Sequence, residues 1–288
     1  MTDDIFNGIT WRGRCGDFHT LVSEAEPNQI SPMPSGLEAD VYKISTTTAD
    51  LVLKVWNRDS KPDIAMQYEL LQGLFNQGIP VSEPLGWGIN SDNNQVLLTG
   101  FGGTPVAKLN KLKLETLADI LIGIHSVPIE SVASLDALPR YHFVSYFFPG
   151  IDGHADIKEV LLPLVKDSQV GQHRLIHGDF NLGNILELNG RFTIIDWTNI
   201  QLGDPRYDAA WSIFLMRIYA SERYGSLYRS FLLAKNTYLV EDLERFDAIA
   251  CLRWILLNRI AGLPKGKNTL SVVRAIIKNN VYLDEKLL

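Results

Sequence analysis

Hydrophobic and polar positions change rhythm along this chain. Residues 37–44 (LEADVYKI) and 51–56 (LVLKVW) are rich in β-formers, with the polar run STTTAD between them. That pattern predicts two antiparallel strands joined by a short loop. Over residues 63–76 the period lengthens: Ile64, Tyr68, Leu71 and Phe75 recur at steps of four, three and four, one face of a helix. Asn76-Gln77-Gly78, with Pro80 beyond, predicts its end. Residues 96–98 read as a further strand. The Gly/Pro stretch 100–105 (GFGGTP) then reads as the boundary between a β-rich part, residues 1–100, and a helical part, residues 101–288. Beyond it, residues 111–125 have a helical period that stops before Pro128. A β interruption follows at 173–200. Within it, Asn189-Gly190 lies between two apolar runs and predicts a hairpin, because a type I′ turn needs positive φ at both central residues. From Arg206 to the end the pattern is helical, with aromatic-rich apolar faces.

Composition narrows the class. Hydrophobic residues make up 46% of the 288 and charged residues 21%, which excludes a disordered chain, a collagen-like repeat and a coiled-coil rod. The net charge is −6, without the basic excess of a general nucleic-acid binder, and such a balance would suit a cationic ligand. Cys15 and Cys251 form no metal-binding spacing and read as reduced thiols. The first residues start acidic and lack an apolar run, and apolar stretches such as 254–257 are far short of a membrane span. The expectation is a soluble, cytoplasmic protein with no membrane and no nucleic-acid partner.

The candidate chemistry lies in residues 175–208, LIHGDFNLGNILELNGRFTIIDWTNIQLGDPRYD. An apolar lead-in delivers His177-Gly178-Asp179 to a strand end. Asn184 follows five residues after Asp179, and the hairpin returns the chain to Asp196. Asp179, Asn184 and Asp196 can therefore converge. A hard divalent cation such as Mg²⁺ takes few oxygen ligands from protein and the rest from phosphates and water. A separate carboxylate nearby can accept a proton from a hydroxyl. Asp, four residues, Asn, then a second Asp after a hairpin is the phosphoryl-transfer template of protein kinases.

The motifs HGDFNLGN, IDWTN and GDPRYDAAW, in that order, resemble the aminoglycoside phosphotransferase and choline kinase-like family. The resemblance is tight across residues 174–211 and looser over the whole chain. It implies an α+β, protein-kinase-like two-lobed fold, with a small β-rich N-lobe and a larger, mostly helical C-lobe. It implies a small-molecule kinase that moves the γ-phosphate of ATP or GTP to a hydroxyl, of the aminoglycoside or antibiotic phosphotransferase type. A metabolite kinase of the choline, homoserine, thiosugar or fructosamine type is the alternative, as is a silent nucleotide-binding regulator. Carried over by position, Asp179 is the catalytic base, and Asn184 and Asp196 hold Mg²⁺. Lys54 contacts the α- and β-phosphates, Glu69 pairs with Lys54, the loop containing Ser35 and Gly36 covers the phosphates, and the connector through Thr99 and Phe101 offers backbone groups to adenine. Only six residues separate Asp196 from Gly203-Asp204-Pro205, too few for a protein kinase's activation loop.

Other motifs read as structural. His177 is expected to hold its loop by hydrogen bonding. His173 and His177 lie on a strand pattern, where they do not stack as i, i+4 metal ligands. Asp204 and Asp208 are expected to cap the following helix and anchor the catalytic loop. The stretch from Gly262 fails the Walker A spacing, and GFGGT fails GxGxxG. The aromatic clusters at 141–148 and 211–219 read as core, and Asp152, Asp156 and Glu159 as a solvated loop and helix start.

Overall fold

A computed structural model describes residues 6, 8–16, 18–23, 30–34, 39–57, 62–132, 138–235 and 238–288. In chain order its strands are β1 (Thr10–Arg14), β2 (Ile30–Pro32), β3 (Asp40–Ser45), β4 (Asp50–Trp56), β5 (Pro84–Ile89), β6 (Gln95–Gly100), β7 (Thr104–Pro105), β8 (Arg174–Ile176), β9 (Ile185–Leu188), β10 (Arg191–Ile194) and β11 (Gln201–Gly203). Its α-helices are α1 (Phe18–Ser23), α2 (Ile64–Asn76), α3 (Lys111–Ser126), α4 (Phe143–Phe147), α5 (Ala155–Asp167), α6 (Pro205–Leu215), α7 (Glu222–Ala234), α8 (Val240–Ala261) and α9 (Thr269–Asn279). The mixed α+β architecture, with its strands early and helices late, is the class the sequence implies. The chain divides into two compact units. One comprises Met1–Pro105, Glu130–Ala137 and Leu186–Thr198, and the other Val106–Ile129, Leu138–Ile185 and Asn199–Leu288.

The first unit is built on a six-stranded antiparallel sheet ordered β1-β5-β6-β4-β3-β2. Its inner face follows from the period of two: Leu51 and Leu53 of β4 pack with Ile44, Leu85, Val96 and Leu98, and with Val55 at the margin. Lys54 falls on the opposite face, in register with Val41 and Leu97. Trp87 shares that face, and a Cβ at Gly13 would lie 2.5 Å from the Trp87 ring and 3.1 Å from Tyr68 of α2. Lys54 and α2 thus occupy one side of the sheet. Asp63 caps α2 by accepting from Met66 N at 3.0 Å. The hairpin β9–β10, which the sequence pattern places in the helical part, belongs to this unit instead: β7 takes its edge, with Thr104 opposite Glu187 and Pro105 opposite Leu186. Its turn residues Asn189 and Gly190 have φ of 51° and 79°, as a type I′ turn requires.

The second unit is helical around α6, whose residues from Tyr207 to Leu215 are all buried. Pro205 sits in its first turn, where a missing N–H is harmless, and Asp204 caps it through Arg206 N at 3.0 Å. Phe214, Phe246, Ile249, Trp254, Val273 and Ile277 supply much of the core around it. At Met216 the helix loosens into a π-helical turn, Met216–Ala220. Gly225 of α7 abuts that turn, where a Cβ would meet the Arg217 backbone N at 2.9 Å. No helix of the described residues is long and apolar enough to cross a membrane.

Candidate active site

The second unit carries the loop with Asp179. Strands β8 and β11 pair antiparallel, and β8 ends by delivering His177-Gly178-Asp179. The loop is tied to α6 from below. Asp208, fully buried, accepts the amide of His177 on Oδ2 at 2.8 Å and the amide of Gly178 on Oδ1 at 2.9 Å. His125 of α3 lies 3.0 Å from Oδ2 through Nε2, and its Nδ1 lies 2.7 Å from the Tyr238 hydroxyl. Burial alone would push the Asp208 carboxyl up. The hydrogen bond and charge of His125, with the His177 amide, outweigh it and hold the group below the usual carboxylate range. Asp204 and Asp208 therefore take the capping and anchoring roles expected of them. Asp204 also accepts Arg206 Nε and the Gly171 amide, each at 3.0 Å.

Gly178 has a φ of 79°, and a Cβ there would lie 2.7 Å from the Asn199 carbonyl oxygen. Only glycine meets both demands, positive φ and close approach. Asn199 is itself held by the Tyr146 hydroxyl, which donates to its Oδ1 at 2.9 Å. His177 is buried, and its Nδ1 accepts the Asp179 amide at 3.3 Å, the loop-holding part expected of it.

Asp179 is half-buried, and its two oxygens have different partners. Oδ1 accepts the Trp211 indole N–H at 2.8 Å. Oδ2 lies 3.3 Å from Asn184 Nδ2, which also donates to the Asp179 carbonyl at 2.9 Å. Asn181 caps the 3-10 turn Leu182–Asn184 through Gly183 N at 2.8 Å, and donates to the same carbonyl at 3.0 Å. Asp179 and Asn184 are thus brought together within the second unit. Both donors of the Asn184 amide turn inward, which leaves its Oδ1 as an oxygen suited to a hard cation.

The first unit carries the remaining candidates. Asp196 follows the hairpin with a φ of 62°, a region costly for a residue with a Cβ, and its Oδ1 accepts the Thr198 hydroxyl at 3.0 Å. Trp197 Nε1 donates to the Ile194 carbonyl at 3.0 Å and closes the turn. Lys54 is half-buried, its ammonium 6.0 Å from the Trp56 ring centroid, with no carboxylate at ion-pair distance among the described residues. The expected pair with Glu69 is not made. Glu69 is exposed on α2, and the polar residue that this helix buries is Gln67, two positions earlier. Tyr68, Leu71 and Leu74 take the inward face, and a helix turns Glu69 about 100° from Tyr68.

Thr99 is buried in β6, the Gly100 amide donates to Glu83 O and the Phe101 amide to Asp50 O, each at 2.9 Å. Those amides already have partners, because the sheet ladder runs further than the sequence suggests. Gly102 and Gly103 follow, and a Cβ at each would lie 2.7 Å from Thr193 Cγ2 and 2.3 Å from Glu187 O, respectively. Ser35 and Gly36 lie outside the described residues. The aromatic cluster at 141–148 is split: Phe147 and Phe148 are core, whereas Tyr141 stacks on Tyr146 with centroids 4.3 Å apart and stays partly exposed. Asp156, read as solvated, is exposed but paired with Arg259 at 2.7 Å, which lowers its carboxyl. Sequence reasoning read Trp211 as core, which it is, without its bond to Asp179, and passed over Arg253. The signal for Arg253 is a cation inside the apolar run IACLRWILL.

A family model described as the phosphotransferase enzyme family, APH, matches residues 29–248. Comparison of the sequence with curated proteins gives no match. Among solved structures, a thermostable mutant of aminoglycoside phosphotransferase APH(4)-Ia in its apo form superposes with a TM-score of 0.63 at 16% identity, covering 93% of this chain and 99% of that one. The amicoumacin kinase hAmiN, in complex with AMP-PNP, Ca²⁺ and Ami, gives 0.63 at 12% identity, over 94% and 96%. A Plasmodium vivax ethanolamine kinase gives 0.62 at 13% identity, over 91% and 83%. Likenesses at these identities show a shared protein-kinase-like fold. The family model spans most of the sequence, the motif-bearing loop included, and the chain belongs to the phosphotransferase enzyme family, as an enzyme that phosphorylates an alcohol group of a small molecule.

Proposed function

We propose that this enzyme transfers the γ-phosphoryl group of ATP, or of GTP, to a hydroxyl of a small acceptor in a Mg²⁺-dependent reaction. The observation that carries the reading is Asp179: one carboxylate oxygen is pinned by the Trp211 indole and the other stands beside Asn184. A carboxylate fixed in that way can orient a hydroxyl and take its proton as the oxygen attacks phosphorus. Asn184 Oδ1 and the Asp196 carboxylate are the oxygens that would hold the cation, and both fit a hard metal. Bound there, Mg²⁺ would neutralise charge on the phosphates. Lys54, a cation without a carboxylate partner among the described residues, would meet the α- and β-phosphates. Complexes with ADP and AMP-PNP among the structural neighbours support an adenine nucleotide.

The structural neighbours include complexes with spectinomycin and hygromycin B, an amicoumacin kinase and an ethanolamine kinase. What carries over to this chain is a small, hydroxyl-bearing acceptor, with antibiotics of the aminoglycoside type as the first class to screen and amino alcohols as the second. The test is turnover of Mg²⁺·ATP by Asp179→Ala. Nucleotide binding should persist while turnover falls by about two to four orders of magnitude, the usual worth of a positioned base. Near-normal turnover would remove Asp179 from the mechanism.

A further inference from the structure

Arg253 lies in the middle of α8 and is only 9% exposed. Among the described residues it has no carboxylate at ion-pair distance. Its Nη1 donates to the Tyr207 hydroxyl at 2.7 Å and to the Gly178 carbonyl at 3.3 Å. Its Nε is buried with no hydrogen-bond partner. Aromatic faces take the rest: the guanidinium carbon is 4.2 Å from the Trp211 ring centroid, 4.8 Å from that of Phe147 and 5.8 Å from that of Tyr207.

A buried cation without a counter-charge is expensive, and a hydrophobic residue of similar volume would serve the core at least as well. Core packing therefore gives no reason for an arginine here. Its contacts do. The Gly178 carbonyl belongs to the peptide that joins Gly178 to Asp179, and the amide of that same peptide donates to His177 Nδ1. Trp211, on which the guanidinium is stacked, is the donor to Asp179 Oδ1. Both routes from Arg253 end at one carboxylate.

We propose that Arg253 is a positioning residue for phosphoryl transfer, clamping the Trp211 ring and the Gly178–Asp179 peptide so that the indole N–H keeps Asp179 Oδ1 and leaves Oδ2 to the acceptor hydroxyl. The planar guanidinium suits the task because it stacks through its face while its N–H groups donate in its plane, which an ammonium does not do. The proposal rests on the reading of Asp179 as the group that receives that hydroxyl.

The test uses the full chain and two readouts. The first is the indole N–H spectrum of ¹⁵N-labelled protein, in which the signal missing from Trp211→Phe identifies Trp211 among the six tryptophans. The second is Mg²⁺·ATP turnover with water as acceptor, and with hygromycin B and ethanolamine as added acceptors. Arg253→Met removes the charge and keeps the bulk, so it should stay folded. Its Trp211 signal should shift and exchange faster with solvent, and kcat should fall about 10- to 100-fold with the nucleotide KM within about twofold, the signature of a displaced reacting group. Arg253→Lys should move both readouts the same way and serves if the methionine variant does not fold. In Arg253→Met/Trp211→Phe the losses should not multiply, since one acts through the other. An unmoved Trp211 signal, unchanged turnover, or multiplying losses would each overturn the proposal. Asp179→Asn separates the two failures: full turnover in that variant rejects the reading of Asp179, whereas an inactive Asp179→Asn beside a fully active Arg253→Met rejects the role of Arg253 alone.

Discussion

Two buried carboxylates of the second unit show how environment decides what a residue does. Asp208 is surrounded by donors, and its folded-state pKa is depressed. Its contribution to stability is therefore present above the unfolded value, about 3.9, and is lost as pH falls through the lower folded value. Asp208→Asn cannot accept from His125, His177 and Gly178 together. It should lower stability at neutral pH by about 3–5 kcal/mol, as broken buried pairs do, with the gap closing only in strong acid. Asp247 of α8 is the opposite case. Burial pushes its carboxyl up to about 6, and Arg229, 3.4 Å away, offsets this only in part. Between about pH 4 and 6 the folded protein keeps a proton that the unfolded chain has lost, so stability falls as pH rises through that window. Asp247→Asn stays neutral throughout. Urea denaturation should show it level with wild type near pH 4 and more stable by about 1–3 kcal/mol at pH 8. A wild type at least as stable at pH 8 would mean that the Arg229 pair outweighs the burial of Asp247.

At the scale of elements, glycine separates turns that need only a backbone conformation from turns that also need space. Gly190 has a φ of 79° and nothing within 4 Å of a built Cβ, so Gly190→Ala meets only the left-handed penalty, about 1–2 kcal/mol. Gly178 has the same φ but faces the Asn199 backbone at 2.7 Å, so Gly178→Ala must move the loop that carries Asp179. Thermal melts should show a modest loss for the first. Turnover should remain near normal for the first and fall at least about 100-fold for the second, because a shift of about 1 Å is enough. Equal activity in the two would show that the loop tolerates displacement. The same distinction explains what was legible beforehand. The hairpin was readable from Asn189-Gly190, and the loop roles of His177, Asp204 and Asp208 from their motif. β5 was not, because Pro84, Gly86 and Gly88 read as turn residues although Leu85, Trp87 and Ile89 alternate, and β1 shows little apolar alternation as TWRGR. The resemblance implies an inward Glu69, yet one step along a helix decides between sheet and solvent. The partners of the Gly100 and Phe101 amides were not legible, because a sequence shows where a strand starts better than where its ladder stops. Arg253 became meaningful only once the folded chain brought Trp211 and Gly178 to it.

At the scale of the whole molecule, the residues proposed for phosphoryl transfer are distributed over both compact units. Asp179 and Asn184 belong to the second, and Lys54 and Asp196 to the first. A nucleotide that binds the folded chain and not the unfolded one should raise its stability. A single ligand at about one hundred times its dissociation constant adds about 2.7 kcal/mol, which moves the melting midpoint by about 2–4 °C for a protein of this size. Differential scanning fluorimetry with ATP and with GTP, each with and without Mg²⁺, should give that shift for one nucleotide and only with the cation. The shift should vanish in Asp196→Ala, which loses a proposed cation ligand, and persist in Asp179→Ala, which does not. A Mg²⁺-dependent shift that survives Asp196→Ala would reassign the metal ligand while leaving the nucleotide site intact. A shift absent with either nucleotide, in a chain whose melt is otherwise cooperative, would mean that the acceptor must bind first. Repeating the scan in the presence of hygromycin B or ethanolamine then decides between an ordered kinase and a protein that no longer binds nucleotide.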